Sequence, residues 1–144
     1  MALNRDRSRR NPRAGLTLLE IMVVMAIVVM VAGLAAPRLM DSFGRAKSQA
    51  AQVSMANLKS ALQLYYLDIG RYPTEAEGLD ALIAMPSGLA DWRGPYLEGP
   101  DGLTDPWGRR FLYRYPAPDG GFELLTLGRD GQPGGDREDS DITL

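Results

Sequence analysis

The 144-residue chain carries 16 basic and 18 acidic residues and neither cysteine nor histidine. Its length suits one domain. The missing cysteine rules out a disulfide framework, a thiolate metal site and a thiol nucleophile; the missing histidine removes the commonest general base and transition-metal ligand, so the composition points away from an enzyme.

The charge is distributed unevenly. Residues 1–15 hold Arg5, Arg7, Arg9, Arg10 and Arg13 against one acid, Asp6. Residues 16–144 keep 11 basic and 17 acidic groups, about −6 by formal charge. An acidic body excludes a nucleic-acid partner, which needs a basic surface.

Leu16 to Ala36 reads LTLLEIMVVMAIVVMVAGLAA, in which only Thr17, Glu20 and Gly33 are not apolar. A helix of this length spans roughly 30 Å, one hydrocarbon core. The arginines before it stay cytoplasmic by the positive-inside rule, which puts the body of the chain across the membrane, in the periplasm of a Gram-negative cell. An ordinary signal peptide has a shorter apolar stretch and a small-x-small cleavage site, whereas this run carries an early acid and ends at Pro37. A plain single-pass anchor gives no reason for that acid, and no other segment is apolar enough to enclose the run as a buried helix.

Glu20 is the informative residue. A charge inside a bilayer costs about 2.5–3.5 kcal/mol or more, so it marks a functional site. A cut between Gly15 and Leu16 would create an α-amino group one helical turn from Glu20, or near the Glu20 of a neighbouring copy. Paired opposite charges in low dielectric are far cheaper than either alone.

The stretch Arg13-Ala14-Gly15-Leu16-Thr17-Leu18-Leu19-Glu20-Ile21 resembles the class III signal of type IV pilins and pseudopilins. That resemblance implies a basic leader, residues 1–15, removed by a prepilin peptidase after Gly15. It also implies N-methylation of Leu16, where phenylalanine is usual, and a role for Glu20 in subunit assembly.

Pro37 lacks an amide hydrogen and is expected to kink or loosen the helix, with Gly33 adding freedom one turn earlier. Helical patterning then resumes. Leu39, Phe43, Ala46, Ala50 and Val53, followed by Leu58, Leu62, Tyr65 and Ile69, are expected to form one core-facing stripe. Gly70 ends the helix and Pro73 prevents its resumption. Residues 16–69 are thus predicted as one nearly continuous helix, a membrane half at 16–36 and an amphipathic half.

Thr74-Glu75-Ala76-Glu77 is a capping box, predicted to open a short helix to about Met85. The Gly/Pro-rich stretch Ser87 to Asp105 reads as loop, pinned by Trp92, Tyr96 and Leu97. Alternation from Arg109 to Tyr115 predicts a strand, Pro116 to Gly121 a turn, and Phe122 to Leu127 the return strand. The expected fold class is α+β, a long N-terminal helix packed on a small antiparallel sheet.

Arg71-Tyr72-Pro73-Thr74, Gly78-Leu79, Leu82, Tyr96-Leu97 and Asp105-Pro106-Trp107-Gly108 resemble segments of the major pseudopilin of type II secretion. The resemblance runs from about Arg13 to Ile142. It implies a pilin-like fold with a periplasmic globular domain at residues 37–144.

The last segment, LGRDGQPGGDREDSDI from Leu127 to Ile142, concentrates five acids among four glycines. Read from its spacing it is either a calcium loop or a solvated acidic tail; it is not an EF-hand. The pseudopilin resemblance implies one structural calcium. Asp130, Asp139 and Asp141 match the family's aspartates, Asp136 stands as the substitute, and the backbone carbonyls of Leu127 and Gln132 fill further places.

The implied function is that of the major subunit of a homopolymeric pseudopilus, not an enzyme. Its partners are the prepilin peptidase, minor pseudopilins, the inner-membrane secretion platform and the inner membrane, with no nucleic acid. The alternative is a type IV pilus subunit for adhesion or motility; many of those close the C-terminal loop with a disulfide, which this chain cannot form.

Overall fold

The computed structural model describes residues 17–118 and 120–144. Helix α1 runs Leu18–Ile69 without interruption, including through Pro37. The hydroxyl of Thr17 accepts the N–H of Glu20 at 3.2 Å, so Thr17 acts as N-cap and meets one of the four unpaired amides that every helix start leaves. At the other end the N–H of Gly70 reaches the carbonyl of Tyr66 at 2.8 Å, with Gly70 in the left-handed conformation that closes helices.

The chain divides into two units, Met1–Leu39 and Met40–Leu144. In the described part of the first, every residue is exposed, including Leu18, Val29 and Leu34. The helix is long and apolar enough to cross a membrane. In an aqueous monomer such a surface would lose about 25 cal/mol for every Å² of apolar area left in water, so it requires lipid or other helices.

The second unit has its own core. Met55, Leu58, Leu62 and Tyr65 of α1 pack with Leu79, Leu82, Leu103, Phe111 and Leu124. The buried stripe along the helix is Gly44, Ala51, Met55, Leu58, Leu62 and Tyr65, at spacings of three, four and seven, with Ala61 buried beside Leu62. This corrects half of the predicted stripe. Leu39, Phe43, Ala46, Ala50 and Val53 are exposed, Phe43 at 64% and Val53 at 62%. They form a second apolar stripe, about one residue out of phase with the buried one. Between residues 44 and 51 the core face takes small residues, because the C-terminal loop closes directly onto the helix there.

The helix predicted from Thr74 to Met85 is also shorter than expected. The capping box forms in both directions: the N–H of Thr74 reaches Glu77 Oε2 at 2.7 Å, and the N–H of Glu77 reaches Thr74 Oγ1 at 3.3 Å. One turn later Gly78 adopts φ +58°, which an α-helix does not accommodate. Only a 3-10 helix, Leu79–Leu82, follows. Its Leu79 and Leu82 enter the core.

Strand β1, Leu112–Arg114, pairs antiparallel with β2, Glu123–Thr126, with Tyr113 opposite Leu124. Phe111 and Leu124 face the core while Leu112 and Arg114 face out, as the alternation predicts. A third strand, β3, Ile142–Thr143, pairs antiparallel with β2 and completes the order β1-β2-β3. Two residues carry no period, so β3 had no signature of its own.

Hydrogen bonds fix the connections. Tyr113 donates its hydroxyl to the carbonyl of Pro73 at 2.8 Å, and burial pushes that phenol well above its ordinary range. Arg71 forks onto both oxygens of Glu77 at 2.6 and 2.7 Å, which lowers the Glu77 carboxyl to about 2. Trp92 Nε1 donates to the carbonyl of Ala81 at 2.9 Å, and Tyr96 donates to Asp68 at 2.9 Å. The loop after the 3-10 helix is therefore pinned by Trp92 and Tyr96, with Leu97 packed beside them.

Candidate assembly helix and acidic loop

Two regions carry the predicted site residues. The first is the start of α1. Gly15 and Leu16, with the leader before them, lie outside the described residues. Glu20 sits in the first helical turn and is exposed. Anions are favoured at a helix N-terminus, where unpaired N–H groups give a partial positive charge. From Leu18 to Leu34 the surface around it is apolar and uncovered.

The second region is the C-terminal loop and the segment beneath it. Asp105 is 5% exposed. Its Oδ1 accepts the N–H groups of Trp107 and Arg109 at 3.0 and 2.9 Å, and its Oδ2 accepts the hydroxyl of Thr126 at 2.6 Å. A buried carboxylate is tolerated where donors surround it. Asp105 thus ties the DPWG turn to β2 and sets the direction of Trp107.

Trp107 Nε1 donates to Glu138 Oε1 at 2.9 Å. Glu138 in turn rests on Gly44: a Cβ at position 44 would lie 2.8 Å from Glu138 Oε2. The loop therefore docks on α1 through Glu138, and the helix offers no side chain at the contact. Arg137 adds a long ion pair to Asp41 at 3.4 Å.

Within the loop, Arg129 donates through Nε and Nη2 to the two oxygens of Asp139 at 2.8 and 2.9 Å. Its Nη1 lies 3.4 Å from Glu138 Oε2. These contacts raise the Arg129 guanidinium further above its ordinary value, the Asp139 hydrogen bonds contributing most. The guanidinium of Arg109 donates to the carbonyls of Gly128 and Arg129. Gly128 allows the tight return, since a Cβ there would meet the carbonyl carbon of Asp139 at 2.7 Å.

The predicted calcium ligands are distributed as follows. Asp130 Oδ1 accepts the N–H of Gln132 at 3.0 Å. Asp141 Oδ2 accepts the N–H of Gly134 at 2.9 Å, while its Oδ1 is buried without a partner. Asp139 is held by Arg129, and Asp136 is exposed at the start of a 3-10 turn, Arg137–Asp139. Among the described residues no three acidic side chains converge as a metal cluster. The orphaned oxygen of Asp141 nonetheless fits a cation, because a buried carboxylate oxygen needs a donor or a positive charge.

Sequence reading missed Glu138, Arg129, Arg109 and Asp105. Arg129 was visible as a cation inside the acidic run, whereas Arg109 lies far from it in sequence. Which oxygens each chooses, the Asp139 carboxylate for Arg129 and backbone carbonyls for Arg109, depends on the fold of the loop.

Residues 38–144 match the family described as Type II secretion system (T2SS), protein G, and residues 10–36 match the prokaryotic N-terminal methylation motif. The chain belongs to the type II secretion system protein G family. It is 37% identical over 141 residues to the type II secretion system core protein G of Xanthomonas campestris, covering 98% of this chain and 95% of that one. With the core protein G of Klebsiella michiganensis it shares 38% over 141 residues, covering 94% and 97%. The crystal structure of the major pseudopilin from the type 2 secretion system of enterohaemorrhagic Escherichia coli matches with a TM-score of 0.60 and 30% identity, covering 74% of this chain and 93% of that one.

The pilin-like α+β fold is therefore shared with a known pseudopilin. Members of this family are structural pseudopilin subunits, not enzymes, and the chain is one of them. The match decides between the pseudopilus and the surface pilus in favour of the former. The apolar N-terminal helix fits a single-pass membrane anchor.

Proposed function

We propose that the chain is the major subunit of a type II secretion pseudopilus, made as an inner-membrane precursor with its N-terminus cytoplasmic and residues 37–144 periplasmic. A prepilin peptidase cuts between Gly15 and Leu16, and Leu16 is methylated. The mature chain polymerises on the inner-membrane secretion platform with minor pseudopilins, and the growing filament moves folded proteins across the outer membrane. The observation that carries this reading is the wholly exposed apolar first part of α1, residues 18–39, with one acid in its first turn, in a chain of the protein G family. The new α-amino group at Leu16 and the Glu20 carboxylate neutralise each other once copies stack. The exposed stripe of Phe43, Ala46, Ala50 and Val53 supplies a further apolar packing surface on the second unit.

The test is filament formation in cells that also make the secretion apparatus. Glu20→Ala should leave the chain in the membrane fraction at wild-type level and abolish filaments seen by electron microscopy. Normal filaments from that variant would overturn the role given to Glu20.

Calcium belongs to the same reading as a structural ion of the C-terminal loop. Asp130, Asp139 and Asp141 would hold it, with Asp136 as substitute and the carbonyls of Leu127 and Gln132. Its contribution is to supply positive charge to the carboxylates of the loop. Support comes from the unpartnered oxygen of Asp141. Thermal melting of the full chain in detergent should shift upward with calcium and back with chelator; an unchanged melting temperature would favour a solvated acidic loop.

A further inference from the structure

The acidic loop already contains positive charge at both kinds of oxygen that calcium takes. Arg129 covers the two carboxylate oxygens of Asp139, and Arg109 covers the carbonyls of Gly128 and Arg129. Calcium uses carboxylate and carbonyl oxygens alike. A metal ion chelating both oxygens of Asp139 needs the in-plane lone pairs between them that the planar guanidinium fork occupies, so the two exclude each other there.

We propose that Arg129 is a built-in counter-cation that competes with calcium for Asp139 and thereby sets the calcium affinity of the loop. The inference rests on the calcium reading above and adds a residue to it. In the metal-free chain the loop stays closed, since three contacts are independent of any ion. Glu138 remains on Trp107 at 2.9 Å, its backbone carbonyl accepts the N–H of Arg129 at 2.9 Å, and its side chain fills the notch at Gly44. Calcium binding then consists of an exchange: the Arg129 side chain, 58% exposed, swings into solvent and Asp139 turns toward the ion beside Asp141. The Asp139 carboxylate is thus held by the ion pair at low calcium and by the metal at high calcium, with Glu138 keeping the loop closed in both.

The experiment measures calcium chloride binding by titration calorimetry, and melting temperature, on the full-length chain in detergent at fixed ionic strength. Wild type is compared with Arg129→Gln and Arg129→Lys. Lysine keeps the charge but loses the two-pronged geometry, so it separates the fork from general electrostatics. Removing an exposed ion pair should tighten calcium binding by roughly threefold. Both variants should therefore bind calcium more tightly than wild type, melt lower without metal, and show a larger rise on adding it. Tightening in Arg129→Gln alone, with Arg129→Lys equal to wild type, would mean a simple net-charge effect and overturn the inference. Equal affinity in all three would overturn it and leave calcium binding standing. Absence of calcium binding in all three would overturn both.

Discussion

The Arg71–Glu77 pair gives a prediction whose size follows from the geometry. Glu77 accepts both prongs of the Arg71 fork, the N–H of Thr74 at 2.7 Å and the Thr74 hydroxyl at 3.1 Å. The Arg71 hydrogen bonds are the largest cause of its depressed pKa, moved from 4.5 to about 2. A depression of that size corresponds to about 3 kcal/mol at full coupling. Arg71 is 36% exposed, and solvent screening reduces the expected contribution to about 1–2 kcal/mol. Because the folded value lies below the unfolded one, this stability is fully present above pH 4.5 and is lost as the pH falls through the folded value near 2. Glu77→Gln should lower the melting temperature of the full chain in detergent by about 5–10 °C at pH 7. The gap between wild type and variant should close progressively between pH 4.5 and about 2. A gap that persists at the acid end, or no gap at neutral pH, would refute the reasoning.

Two other perturbations separate folding from assembly. Phe43→Arg with Val53→Arg changes exposed positions, so stability should shift by less than about 0.5 kcal/mol while filament formation is lost; a folding defect seen in denaturant titration would contradict the assignment of this face. Asp105→Ala leaves the N–H groups of Trp107 and Arg109 and the Thr126 hydroxyl without their acceptor. It should cost about 2–3 kcal/mol, measured as a lower denaturation midpoint, whereas a silent substitution would remove Asp105 from its role as the tie between the DPWG turn and β2.

Much of the fold was readable because its signals are long. The apolar run, the capping box at Thr74 and the alternation around Tyr113 each span enough residues to declare a period, and α1 begins and ends within two residues of expectation. The misreading at residues 39–53 has a physical cause. Large apolar residues point to the core face, yet Phe43 and Val53 are left open and Gly44 and Ala51 are buried. A core face that receives another segment's carboxylate side chain must be small, and smallness leaves no hydrophobic signal. In the loop, five acids were legible as either a calcium loop or a solvated acidic tail, but the choice of Asp139 by Arg129 and of Trp107 by Glu138 arises only when β3 folds back beside β2 and brings residues 10 and 31 apart together.

The central claim is that the chain is cut after Gly15 and works as a polymerising subunit anchored by the helix that begins there. Mass spectrometry of the N-terminus of membrane-extracted protein tests it most directly. The account predicts a chain starting at Leu16 with one methyl group on its amine. A chain starting at Met1, or one starting at Pro37 after ordinary signal cleavage, would contradict it.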